Sequence, residues 1–187
     1  MKQFILLLAF ISTASCLSAQ DIFFTKTGKI GFDATTSSSP EKIAGTNKSV
    51  TCVVDTKKGD IQFSMLMKGF EFERALMQEH FNENYVETGK FPKAEFKGQI
   101  ANNSQVNYAK DGTYPVKVKG NLTIHGETKT AETDGKLVIA GGKITASADF
   151  NVLLSDYKVA IPSLVSDKVA KTAKISVDCL LEPLKKN

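Results

Sequence analysis

Apolar and polar side chains alternate with a period of two along most of this chain. The stretch DIQFSMLMK puts Ile61, Phe63, Met65 and Met67 on one face, with Gln62, Ser64 and Lys68 on the other. YPVKVKGNLTI places Val116, Val118, Leu122 and Ile124 opposite Lys117, Lys119 and Asn121. KITASADFNVLL gives Ile144, Ala146, Ala148, Phe150, Val152 and Leu154, and AKISVDCLL gives Ile175, Val177, Cys179 and Leu181. Successive side chains of a strand point to opposite faces, so this pattern predicts strands with one dry face and one wet face.

Turn signals separate the runs. Gly141-Gly142 suits a two-residue hairpin, Gly59 ends a four-residue loop in DTKKGD, and Asp111-Gly112 reads as a further hairpin signal. After Met67 the apolar parity shifts to Phe70 and Phe72 with Gly69 at the break, which predicts a β-bulge. One segment departs from alternation. ERALMQEHFNENY lacks Gly and Pro and puts Leu76, Met77, His80, Phe81 and Asn84 at helical spacing, which predicts a helix of about three turns between strands. SDYKVAIPSLVSDKVAK, with Pro162, is expected to hold a short helical turn from Ser163 to Val169. About eight antiparallel strands close naturally into a barrel, which removes exposed edges. An open sandwich would show the same alternation.

The length of 187 residues suits one domain with a substantial core. Its N-terminus reads as a secretory signal peptide over residues 1–19: Lys2, the apolar run Phe4 to Ile11, and a small residue at Ala19. That run is too short to span a bilayer, which takes about 20 apolar residues. Residues 20–187 are then the mature domain, expected in the periplasm or secreted. A lipidated Cys16 is the weaker alternative, because Thr13 stands where a lipobox usually has leucine. Without Lys2 the chain carries 23 basic and 20 acidic residues, a formal charge of +3 spread over scattered lysines. That excess gives little support to nucleic acid as a partner. Cys52 and Cys179 each alternate with apolar neighbours, so buried free thiols are the favoured reading, while a disulfide stays open.

Groups suited to catalysis are scarce. HExxH, GxSxG, P-loop and GxGxxG patterns do not occur, and two histidines without a carboxylate at ligand spacing make neither a zinc site nor a haem site. His125 falls one step out of phase with Leu122 and Ile124, on the polar face or in the following turn. Glu71, Glu73, Asp149 and Asp156 form no recognisable pair, and the sequons at Asn47, Asn102 and Asn121 are common by chance. Met65 and Met67 would be core in a packed barrel. In a hollow one the same face would line the cavity.

Several blocks together resemble the YceI family of exported lipocalin-like proteins, also described as polyisoprenoid-binding. KFPKAEFKG is similar to the family's K-[YF]-P-x-x-x-F block, and GNLTIHGETK to its G-x-L-T-I-H-G-x-T-K block. SDYKVAIP is similar to D-[FY]-G-[IV] with Lys158 where glycine is usual, and SDKVAKTAKISVDCLL resembles the closing strand. Upstream, Arg74, His80-Phe81 and Asn84-Tyr85 look like R-x-x-x-H-L and D-F-F positions, with asparagine in place of the usual aspartate. The resemblance runs from about Gly28 to the C-terminus. It implies an all-β, eight-stranded antiparallel lipocalin-like barrel with one helix between strands, holding an isoprenoid-type or quinone-like lipid. It supplies no catalytic residues.

Combined with the alternation, the expected cavity lining is Phe63, Met65, Met67, Phe70, Phe72, Leu76, Phe81, Phe96, Val118, Leu122, Ala146, Ala148, Phe150, Val152 and Tyr157. No metal or cofactor is expected, and the lipid is a ligand. A dimer is compatible with the sequence, which does not fix the oligomeric state. The alternatives are a lipid- or quinone-modifying enzyme on the same barrel, which would need His80 or Tyr157 beside a carboxylate, or a ligand-free stress-protective protein with a packed interior.

The leader reading predicts an exported chain starting at Gln20 or Asp21. Intact mass measures this, and a diacylated Cys16 would contradict it.

Overall fold

The computed structural model describes residues 21–184. The signal-peptide reading and Cys16 lie outside the described residues. The strands are β1 (Ile22–Thr35), β2 (Ala44–Asp55), β3 (Asp60–Leu66), β4 (Phe70–Phe72), β5 (Lys93–Ile100), β6 (Gly112–Ile124), β7 (Glu127–Ala140), β8 (Lys143–Leu153) and β9 (Val169–Pro183). They form one antiparallel sheet in the order β1-β9-β8-β7-β6-β5-β3-β2, and β1 pairs again with β2 to close the ring. The short β4 pairs with Gly45–Asn47 of β2 while β3 pairs with Thr51–Asp55, so β3 and β4 act as one interrupted strand. The result is the closed eight-stranded barrel expected from the alternation, and the open sandwich is excluded.

The interruption between β3 and β4 is a single 3-10 turn, Met67–Gly69, rather than a β-bulge. Its cause is Asn47, a fully buried amide on β2. Its Nδ2 donates to the Leu66 carbonyl at 2.8 Å, and its Oδ1 accepts from the Ser49 N–H at 2.9 Å. The amide therefore takes up backbone bonding capacity that a regular ladder would use.

Gly141-Gly142 makes the expected two-residue hairpin with both φ values positive. Asp111-Gly112 does not make a tight turn. It ends the long β5–β6 connection, which holds a 3-10 turn at Asn103–Gln105, and Gly112 already belongs to β6. The helix is also shorter in its regular part: α1 (Ala75–His80) runs into a π-turn at Phe81–Tyr85. Towards the C-terminus the chain makes 3-10 turns at Leu154–Tyr157 and Ser163–Val165, so the second turn stops short of Val169, the first residue of β9.

Strand direction sorts the connections to two ends of the barrel. The end carrying the chain termini is packed solid by Phe23, Val54, Ile61, Ile100, Val106, Ile139, Ile144 and Leu181, with Tyr108 and Tyr114 against them. The other end collects the β1–β2 loop, the helix, the His125 turn and the β8–β9 connection. There Thr36 Oγ1 donates to the Asp167 carbonyl at 2.9 Å, and Ser39 Oγ to that of Lys168.

Close packing accounts for several glycines. Gly98 and Gly120 face each other across β5 and β6, and a Cβ on either would stand within 2.6–2.7 Å of the Phe96 ring. Cys52 and Cys179 are free thiols, both fully buried in the same apolar cluster. They meet beneath β1, whose register slips between Thr25 and Gly28, and a Cβ on Gly28 would overlap the Cys179 sulfur. Gly28→Ala should therefore cost about 1–3 kcal/mol of overpacking, and Cys179→Ala in the same chain should recover part of it. Denaturant melts of the three variants measure this, and independent, additive losses would contradict the contact.

Candidate functional site: the barrel interior

The inward faces enclose a cavity of about 330 Å³ whose wall is overwhelmingly apolar. It occupies the half of the barrel away from the termini. Phe63, Met65 and Met67 come from β3 and the turn after it, Phe70 and Phe72 from β4, and Phe81 from the end of α1. Phe96 on β5, with Val118 and Leu122 on β6, continues the wall. Ala146, Ala148, Phe150 and Val152 on β8 complete it with Tyr157 of the following turn. Fourteen of the fifteen residues singled out from the sequence thus border one space.

Leu76 does not. It is 61% exposed on the outer side of α1. The helix is oriented by Phe81, whose ring packs on Phe72, Phe70 and Phe32 at centroid distances of 4.9, 5.3 and 5.6 Å. Leu76 lies five residues earlier, about 140° around the helix from that anchor. Met77, half-buried, and His80, exposed at the rim, border the cavity instead.

Other wall residues were missed, among them Ile30 and Phe32 on β1, Tyr85, Ile124, Ala131, and Ile175 and Val177 on β9. Ile175 and Val177 were legible, since they stand in an alternating run with the buried Cys179. Ile30 and Phe32 also alternate, but Gly28 and Gly31 weaken the pattern.

Hydrogen bonds at the rim hold the wall in place. His125 is buried, with a left-handed backbone (φ +51°) in the β6–β7 turn. Its Nδ1 donates to the Tyr157 carbonyl at 3.0 Å, because a carbonyl can only accept. Its Nε2 lies 3.0 Å from Glu87 Oε2, and its ring meets the Phe91 ring edge-on at 4.4 Å. One side chain thus ties the β6–β7 turn to the turn after β8 and to the chain leaving the helix. Lys158, at the position where glycine is usual in the resembling family, also has a left-handed backbone (φ +54°) and pairs with Glu127 at 2.6 Å.

His80 and Tyr157 both border the cavity, as do Glu41 and Glu95. Among the described residues neither His80 nor Tyr157 shares a hydrogen bond with a carboxylate, and Glu41 is engaged by Arg74 at 2.6 Å. Burial pushes the Tyr157 and Tyr85 phenols above their ordinary pKa. No cluster of three or more metal-ligating side chains occurs among the described residues, and no helix there is long and apolar enough to cross a membrane.

A closed antiparallel barrel with a hollow apolar half defines a lipocalin-like architecture. The family model described as the YceI-like domain matches residues 23–179, and the chain belongs to that family. No curated protein matches it by sequence. Among solved structures it is similar to a polyisoprenoid binding domain from Saccharophagus degradans implicated in plant cell wall breakdown, at 12% identity and TM-score 0.75, covering 88% of this chain and 99% of that one. It is also similar to Burkholderia cenocepacia BcnA (18%, TM-score 0.66, 82% and 95% covered) and to the Campylobacter jejuni YCEI protein (17%, TM-score 0.56, 81% and 90% covered). At these identities the likeness is one of fold.

Lys90 first, and His125 after it, hold the Glu87 carboxylate below its ordinary pKa through hydrogen bonds. A lowered carboxylate contributes stability that is full above its unfolded pKa and lost as pH falls through the folded value. Glu87→Gln should flatten the acid limb of the thermal-stability profile, with the wild type converging on the variant at low pH. Melting temperature against pH measures this, and parallel profiles would contradict it.

Proposed function

We propose that this protein is an exported lipid-binding protein that holds the apolar chain of an isoprenoid- or quinone-type amphiphile inside the barrel. The observation that carries the reading is the apolar cavity of about 330 Å³ in a barrel that is otherwise packed. Volumes of roughly 300–1,000 Å³ suit small apolar ligands. Small side chains at Ala146, Ala148 and Ala131 keep the space open, and Met65 and Met67 are flexible enough to adapt to different guests. The polyisoprenoid-binding relative of the same fold supports the ligand class. The leader-like residues 1–19 support export to the periplasm or beyond. Binding rather than catalysis fits a wall in which the polar groups are few and not arranged as an acid–base pair.

Each five-carbon isoprene unit moved from water into such a wall contributes about 3–4 kcal/mol before association costs. A few units therefore hold a ligand through purification, and a longer chain would have to extend beyond the cavity.

Organic extraction of the purified native protein, followed by mass spectrometry, should recover an isoprenoid or quinone-like species in near-stoichiometric yield. Ala148→Trp should reduce that yield sharply with a melting temperature near that of the wild type. Recovery of no lipid, with no binding of an apolar dye, would mean that the interior carries no guest.

A further inference from the structure

The barrel wall has a gap. β7 and β8 pair from Gly135–Ala140 to Lys143–Ala148 and no further, although β7 begins at Glu127 and β8 runs on to Leu153. Each half that leaves the ladder keeps its other neighbour, β6 for β7 and β9 for β8. The strands therefore part as intact two-stranded ribbons rather than fraying. The 3-10 turn after β8 packs against β7 at the far end, where Leu154 and Tyr157 cluster with Ala131 and the Tyr157 carbonyl accepts a hydrogen bond from His125 Nδ1. A window remains, bounded below by the Gly135–Ala148 pair and above by that cluster.

The cavity reaches into this window. Leu137 and Ala146 point inward and border the cavity, as expected, but so do Lys136 and Ser147, whose places in the alternation point outward. The cavity thus reaches the edge of the β7–β8 pair where the ladder ends, beside Gly135, which carries no side chain to cover it. Thr133 borders it too. The Ser147 hydroxyl is buried and has no hydrogen-bond partner among the described residues. A buried, unpartnered hydroxyl costs stability unless something else bonds to it. The Lys136 ammonium beside it takes part in none of the cross-strand ion pairs that occupy Lys117 and Lys119 on the neighbouring strand.

We propose that the lower edge of the β7–β8 window, at the Lys136–Ser147 pair, is the polar end of the binding site, where the Ser147 hydroxyl and the Lys136 ammonium receive the anionic head group, a phosphate or carboxylate, of an amphiphile whose apolar chain lies in the barrel. This rests on the lipid-binding reading above. A hydroxyl donor and a lysine beside an apolar channel suit an anion better than a neutral head, since charge-assisted hydrogen bonds are the stronger ones. The other opening, among the helix and the β1–β2 and β8–β9 loops, also has a cation, Lys168, and the two ends make opposite predictions.

Titration of delipidated protein with farnesyl phosphate and with farnesol separates them. The wild type should bind the phosphate about tenfold more tightly, roughly 1.4 kcal/mol. Lys136→Met should abolish most of that preference while farnesol affinity is unchanged, Ser147→Ala should reduce it in the same sense, and Lys168→Met should leave it intact. A preference that survives Lys136→Met, or that disappears with Lys168→Met instead, places the head group at the other opening and overturns the proposal. Equal affinity for the two probes in the wild type overturns it as well, while leaving the lipid-binding reading standing. Failure to bind either probe overturns both.

Discussion

Closure of the ring by β1 governs this molecule. A single strand, pairing with β2 on one side and β9 on the other, converts an open sheet into a barrel with an inside. The inside then has to be filled or left hollow, and the chain does both. Phenylalanine, isoleucine, leucine and valine form a buried apolar cluster at the end near the termini. At the other end alanines, methionines and tilted phenylalanine rings leave a space. The hollow needs rigid walls, because a cavity lined by loose side chains would collapse. His125, Asn47 and the Phe96 ring over Gly98 and Gly120 supply that rigidity from three sides.

Much of the barrel was legible because period-two alternation reports burial on one face directly. Strands β3, β6, β8 and β9 stand out in this way, and so does the identity of most of the cavity wall. The first strand is harder to see, since Gly28 and Gly31 replace side chains where neighbouring strands press close. Asp111-Gly112 has the composition of a hairpin, but its neighbours Tyr108 and Val106 are drawn into the packed end, and the connection lengthens to deliver them. Leu76 was misplaced because helical spacing defines a set of faces without saying which one meets the core. Phe81 and its three ring contacts decide that, and they are tertiary.

The window between β7 and β8 was not legible at all. The residues that part, Glu127–Asp134 and Asp149–Leu153, look like ordinary half-exposed strand, and each remains one on its other side. Alternation specifies which way side chains point. It does not specify which neighbour a strand keeps. The left-handed backbone at Lys158 is similar: family resemblance marked the position as one where glycine is usual, and the structure gives the reason, a φ of +54° that a side chain adopts at some cost.

The pairing of β1 with β9 joins the two ends of the folded chain, and the Leu184 N–H donates to the Ile22 carbonyl at 2.8 Å beside it. Contacts of such long sequence separation form late, because loop-closure entropy is spent before they can compensate it. Hairpins such as β6–β7 and β7–β8 need no such closure and can assemble first. The cavity is complete only when the C-terminal strand meets the N-terminal one, since that pairing closes the ring. Until then the apolar wall is an open surface, and an amphiphile present at that moment could be enclosed as the barrel shuts rather than threaded into it afterwards.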